Sequence, residues 1–194
     1  MEILKERIRK EGMVLDNRVL KVDSFLNHQI DPKLFVQMGK EIAARYKDAG
    51  IERIVTIEAS GIAVALPVAL EMDLPLVFAR KKKSLLMNED VYHASVYSYT
   101  KEETYDVTIS KRFLPKGEKV LIIDDFLASG EAALGLAKLV ESAGDTVAGI
   151  AIVIEKSFQP GRERLERSGY RVESLVRIAE FKDNQCIFVE DTEA

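Results

Sequence analysis

Residues Val147 to Ile154 form an unbroken apolar run. A strand of that kind hides both of its faces, so the sheet that holds it must be covered on both sides. Shorter runs of the same type occur at Arg53 to Ile57, Leu76 to Ala79 and Val120 to Ile123. Between them the periodicity becomes helical. Asp31-Pro32 reads as an N-cap followed by a proline at the first helical position, with Phe35, Met38, Ile42 and Tyr46 as the stripe and Gly50 as the stop. A second helical stretch leaves the small-residue turn Glu58-Ala59-Ser60-Gly61 and ends near Asp73. A third carries Ala133, Leu136, Ala137 and Val140 on one face and ends at Gly144. A short helix around Arg162 to Ser168 and a long strand from Tyr170 to Ile178 complete the series. Strands alternating with helices predict an α/β fold: a parallel twisted sheet flanked by helices. Ligands of such sheets bind beyond the carboxyl ends of the strands.

Two regions depart from the alternation. At the N-terminus, Ile3, Leu4 and Ile8 give a short helical stripe that stops at Gly12, and Val14 to Val22 reads as extended. Lys81 to Lys116 is polar and irregular, with alternating pieces at Ala94 to Tyr99 and Tyr105 to Ile109. It reads as a mobile, hairpin-like excursion. With 194 residues and no Pro/Gly-rich linker or repeat, residues 1–194 are expected to form one domain.

Charge and composition exclude several functions. The net charge is −4, unlike the basic surface of a non-specific nucleic-acid binder, so an anionic ligand needs a local site. The longest apolar run is too short to span a bilayer, and MEILKERIRKEG lacks the apolar core of a signal peptide. The single cysteine, Cys186, permits no internal disulfide. A cytoplasmic protein without membrane or nucleic-acid partners is expected. No Cys/His cluster has metal-ligand spacing, and neither His28 nor His93 sits in a catalytic pattern.

The chemistry concentrates in Val120 to Ala132. The strand reaches its end at Ile123, Asp124-Asp125 follow, and Phe126-Leu127-Ala128-Ser129-Gly130-Glu131-Ala132 opens a helix. A strand, a small-residue turn and a helix N-terminus make an anion site. Two carboxylates beside a phosphate would repel it on contact, but they accept well from hydroxyl donors one ribose away. Phosphate and diol at that separation describe a ribose 5-phosphate. Neither a P-loop nor a dinucleotide fingerprint is present.

The segment VLIIDDFLASGEA resembles the signature for 5-phosphoribosyl diphosphate (PRPP) in type I phosphoribosyltransferases. LKVDSFLNHQIDP (20 to 32), EASGIA (58 to 63), VFARK (77 to 81) and VIEKSFQPGRERLERSGYRVESLVRI (153 to 178) extend the likeness to bacterial xanthine phosphoribosyltransferases over nearly the whole chain. The resemblance implies the type I fold, with a small hood over the base made by about 1–32 and the C-terminal segment. The core would be about 33–180, with a flexible loop at about 81–116. Ala128, Ser129, Gly130, Glu131 and Ala132 would hold the 5-phosphate, with Asp124 and Asp125 on the ribose hydroxyls, directly or through a magnesium-bound water. Ala59, Ser60 and Gly61 would approach the pyrophosphate, and Arg80 and Lys81 would neutralise it, in part across a homodimer interface. Leu20, Asn27, Lys156 and Phe158 would surround the purine. No direct protein ligand to metal is implied; magnesium arrives with PRPP.

Each of these residues also has a plainer reading. Lys156 could be a surface lysine, Asn27 a turn residue, Leu20 core, and Arg80 to Lys83 a solvated charge run. The loop tyrosines Tyr92, Tyr97 and Tyr99 could cover the site or simply decorate a hairpin. The expected activity is transfer of phosphoribose to xanthine in purine salvage. The alternatives are a PRPP-sensing regulator of purine genes and a phosphoribosyltransferase for another base such as guanine, hypoxanthine or adenine. Only about twenty residues precede the resemblance, too few for a winged helix.

Overall fold

The computed structural model describes residues 1–81, 90–98 and 103–192. The first half of the chain forms α1 (Glu2–Glu11), β1 (Met13–Leu15), β2 (Val19–Lys21), a π-helical turn (Asp23–Asn27), α2 (Pro32–Tyr46), β3 (Arg53–Ile57), α3 (Ser60–Met72) and β4 (Leu76–Ala79). Next come β5 (Val91–Ser98), β6 (Glu103–Ser110), β7 (Lys119–Leu127), α4 (Glu131–Ser142) and β8 (Thr146–Lys156). The chain closes with α5 (Gly161–Arg167), β9 (Val172–Lys182), β10 (Gln185–Phe188) and α6 (Val189–Thr192).

Six strands form the central sheet in the order β10-β9-β8-β7-β3-β4. Five run parallel, and β10 pairs antiparallel with β9 at one edge. The sheet is therefore mixed, where the sequence pattern predicts only parallel strands. A tight turn at Asp183 and Asn184, both in the left-handed region, returns the chain directly beside β9, and a parallel neighbour needs a crossover that so few residues cannot supply. Val14 to Val22 is likewise corrected from one extended piece to a hairpin. Asp16 and Asn17 take φ values of 51° and 48° and reverse the chain. Asp and Asn tolerate this conformation because their short polar side chains bond locally.

Both faces of the sheet are covered, as the apolar runs require. Val120, Leu121, Ile122 and Ile123 of β7 are completely buried. Leu121 and Ile123 face α1, α2 and α3, whereas Val120 and Ile122 face α4, α5 and the β5–β6 hairpin. Asp31 caps α2 as expected, its Oδ1 accepting from Lys33 N–H at 3.0 Å and Leu34 N–H at 3.2 Å. The described part of 81–116 is packed against the core. Ala94, Val96, Val107 and Ile109 are buried against α4, and Arg80 and Thr108 exchange backbone hydrogen bonds. Lys82, Lys83 and Tyr99 lie outside the described residues.

The two ends of the chain meet. Met1 donates its amino group to Leu175 O at 2.8 Å, Lys5 pairs with Glu190 at 2.9 Å, and Asn184 N–H donates to Asn17 Oδ1 at 2.8 Å. They form a cap over one end of the sheet, beside β9 and β10.

Gly149 is the one residue of the Val147 to Ile154 run without a side chain. A Cβ there would lie 2.3 Å from the Tyr46 ring, and the Tyr46 hydroxyl donates to Ile150 O at 3.0 Å. The glycine lets α2 lie directly on β8. Gly149→Ala is expected to cost about 1–3 kcal/mol through overpacking. Chemical denaturation should show this as a lower midpoint with an unchanged m-value.

Candidate active site

β7 does not stop at Ile123. The parallel ladder to β8 continues through Asp124↔Ile152, Phe126↔Ile154 and Leu127↔Glu155, so Asp124 and Asp125 stand inside the strand instead of after it. Likewise α4 opens at Glu131 rather than at Phe126. The turn is confined to Ala128, Ser129 and Gly130, and Gly130 takes φ 85°, which glycine accommodates without strain. The amides of the first turn of α4 have no intrahelical acceptors and point along the helix axis.

Asp124 is 6 % exposed. Burial pushes its carboxyl well above the usual carboxylate range, and the adjacent Asp125 charge adds to the effect. The Asp125 N–H donated to Asp124 Oδ1 at 3.0 Å and the nearby Lys81 ammonium act in the opposite direction. Phe126 N–H donates to Asp125 Oδ1 at 2.9 Å, which orients the second acid.

The loop after β3 closes on this pair. Thr56 Oγ1 donates to Ile123 O at 2.6 Å and ties β3 to β7. A Cβ on Gly61 would lie 2.3 Å from Thr56 Oγ1 and 3.3 Å from Asp124 Oδ1, so only glycine lets the α3 N-terminus come so near the acid. The Glu58–Ala59 peptide is cis. Glu58 accepts the Lys81 N–H at 2.7 Å, which fixes Lys81 beside the loop. Its ammonium lies 5.6 Å from the centre of the Tyr105 ring. Ala59, Ser60, Gly61, Lys81, Asp124 and Tyr105 are thus brought together. Arg80 is not: its guanidinium lies over Phe78 at 5.8 Å.

Lys156 ends β8, one strand over. It is half-buried, with its ammonium 5.9 Å from the Phe126 ring centre and 5.6 Å from that of Phe181. Burial lowers its pKa. Phe158 packs edge-on against Phe181 at 5.2 Å. Cys186 of β10 is close by, its thiol pushed up to about 11 by burial and only partly drawn back by Lys156. Asn27 is exposed at the end of the π-helical turn, and Leu20 is buried in the core on the α2–α3 side. The site therefore has an acidic centre, the small-residue turn that opens α4 on one flank and a cation among aromatic rings on the other.

The model of the phosphoribosyl transferase domain matches residues 29–191. The chain is 59 % identical over 190 residues to a xanthine phosphoribosyltransferase of an Exiguobacterium species, covering 98 % of each chain. It is 54 % identical over 191 residues to one of Listeria innocua, covering 98 % of this chain and all of the relative. The chain belongs to the family of xanthine phosphoribosyltransferases. Its fold is that of solved adenine phosphoribosyltransferases. One from Thermoanaerobacter pseudethanolicus has a TM-score of 0.68 and 29 % identity, covering 76 % of this chain and 82 % of that one. One from Rhodothermus marinus has a TM-score of 0.75 at 23 % identity, covering 92 % and 100 %.

Sequence reasoning missed Phe126, Tyr105, Phe181 and, above all, Glu155. Glu155 is completely buried and accepts from Arg162 at 2.9 and 2.6 Å, from Ser157 Oγ at 2.7 Å and from Ser174 Oγ. Burial pushes its carboxyl up, but Arg162 and the two serines outweigh burial and hold it below the usual range. A glutamate placed directly after the apolar run was the available signal, since a charge there must find a partner.

Asp124 gives a pH prediction. Its folded-state pKa is raised, so the native state holds a proton that the unfolded chain loses above about 3.8. Stability from this site therefore falls as pH rises through the window between that value and the raised one. Asp124→Asn should raise the melting temperature at neutral pH by ~2–4 °C per 1 kcal/mol relieved. The gain should vanish at low pH, as scanning calorimetry from acid to neutral would reveal.

Proposed function

We propose that the protein transfers the 5-phosphoribosyl group of PRPP to N9 of xanthine, giving XMP and pyrophosphate in purine salvage. The observation that carries this reading is the 59 % identity to a xanthine phosphoribosyltransferase over 98 % of the chain. In the cleft, the first turn of α4 after Gly130 takes the 5-phosphate, and Asp125 and Asp124 take the ribose hydroxyls. Ala59, Ser60, Gly61 and Lys81 face the diphosphate. Lys156 donates to an oxygen on the edge of the base, with Phe158 near the ring and Leu20 and Asn27 in the N-terminal hood above it. A site of hydrogen-bond donors selects xanthine over adenine, which offers an amino group where Lys156 needs an acceptor.

The reaction needs little covalent help from the protein. C1 of ribose exchanges its bond to the diphosphate oxygen for one to N9, through a transition state with oxocarbenium character. Lys81 and the loop amides stabilise the negative charge of the departing group. The acid pair orients the ribose, and the charge that Asp125 carries beside the buried Asp124 offsets the positive charge that develops on it. Among the described residues no three His, Cys, Asp or Glu side chains converge as a metal site. Two adjacent carboxylates do suit outer contacts to magnesium carried by PRPP, which would add charge compensation for the diphosphate. Arg80, directed to the exposed Phe78, is free of the acid centre and available to a second copy.

A panel of purines with PRPP and magnesium tests the activity: XMP is expected, and the reading fails if xanthine yields no nucleotide while another base does. Lys156→Ala should lower kcat/KM for xanthine about 10- to 100-fold, the loss of a charged hydrogen bond, and leave KM for PRPP nearly unchanged. A homodimer is supported by Val36 on α2 and Leu66 and Leu70 on α3, which are 49 %, 52 % and 74 % exposed. Light scattering at micromolar concentration should give about twice the chain's 21.8 kDa.

A further inference from the structure

α5 follows the base-side strand and packs beneath the phosphate turn. Gly161 N–H donates to Ala128 O at 2.9 Å. A Cβ on Gly161 would lie 2.3 Å from that oxygen and 3.0 Å from Gly130 N, and one on Gly130 would lie 3.1 Å from Gly161 Cα. The two backbones therefore touch where no side chain fits. From the next turn of α5, Arg164 Nη1 donates to Ser129 O at 2.7 Å and to Glu131 Oε1 at 2.6 Å. On the other side, Arg162 holds Glu155, the residue before Lys156.

Glu131 poses an electrostatic problem. Its carboxylate stands in the first turn of α4, where the helix dipole attracts anions and a phosphate is to bind. Left free, it would occupy the phosphate-binding amides or repel the phosphate. The arginine contact draws it aside and compensates its charge. The same guanidinium donates to the Ser129 carbonyl, which fixes the orientation of the turn.

We propose that Arg164 is a positioning residue for PRPP: it holds Ser129 and Glu131 so that the turn presents amides, and no net negative charge, to the 5-phosphate. This rests on the reading of Ala128 to Ala132 as the phosphate site. Arg164 itself does not touch the substrate, and its effect is specific to one of the two substrates.

The test is steady-state kinetics with each substrate varied in turn. Arg164→Ala should raise KM for PRPP at least tenfold with KM for xanthine within about twofold. Arg164→Lys, which keeps the charge without the forked geometry, should lie between. Glu131→Gln in the Arg164→Ala background should recover part of the loss, because the charge that needs compensation is gone. A merely structural arginine would lower kcat or thermal stability without this selective effect and without recovery by Glu131→Gln, and either pattern overturns the proposal. If Arg164→Ala does not fold, Arg164→Lys decides: an unchanged KM for PRPP overturns it. Ala132→Asp separates the two readings. If it abolishes PRPP use while Arg164→Ala leaves PRPP use intact, only the positioning role fails. If Ala132→Asp also leaves PRPP use intact, the phosphate-site reading fails.

Discussion

The pairing of β7 with β8 is the contact on which the rest of the site depends. Their parallel register runs from Lys119↔Thr146 to Leu127↔Glu155, far beyond the apolar residues that begin it. Because the two strands are parallel and end together, the turn after β7 and the lysine at the end of β8 lie side by side at one sheet edge. Those are the positions proposed for the 5-phosphate and the base. The ladder also keeps Asp124 extended and buried, so its carboxylate cannot swing out to water.

That burial sets function against stability. A carboxyl among apolar strands, next to a second acid, has its pKa raised above that of the unfolded chain. The compensation is local: one backbone amide, a lysine and a closely approaching glycine loop. The protein places its opposite case one strand away. Glu155 is just as buried, yet forked arginine contacts and two hydroxyls keep it charged. One acid is left short of donors at the proposed ribose site, and the other is saturated with them.

α5 joins these parts. With only seven residues it reaches the buried glutamate through Arg162 and the turn before α4 through Arg164. The two flanks of the site are therefore linked by a helix as well as by the sheet. Arginine suits both contacts because its fork can hold two acceptors at fixed geometry.

Local chemistry made much of this legible in the chain itself. Asp31-Pro32, the apolar runs and the glycine stops marked most elements, and the pattern from Val120 to Ala132 marked a strand, a small-residue turn and a helix start, because capping, periodicity and small-residue turns act within a few residues. The resemblance to the family supplied the base. Tertiary structure alone decided that β7 continues to Leu127, that β10 turns back antiparallel, and that residues 91–98 and 103–110 pack on α4. It alone parted Lys81 from Arg80, one facing the acid pair and the other an exposed phenylalanine. It also brought Phe126, Phe181 and Cys186 around Lys156 from three different strands. These outcomes depend on register and on contacts between residues far apart in the chain, and no short stretch of sequence carries the free energy that selects them.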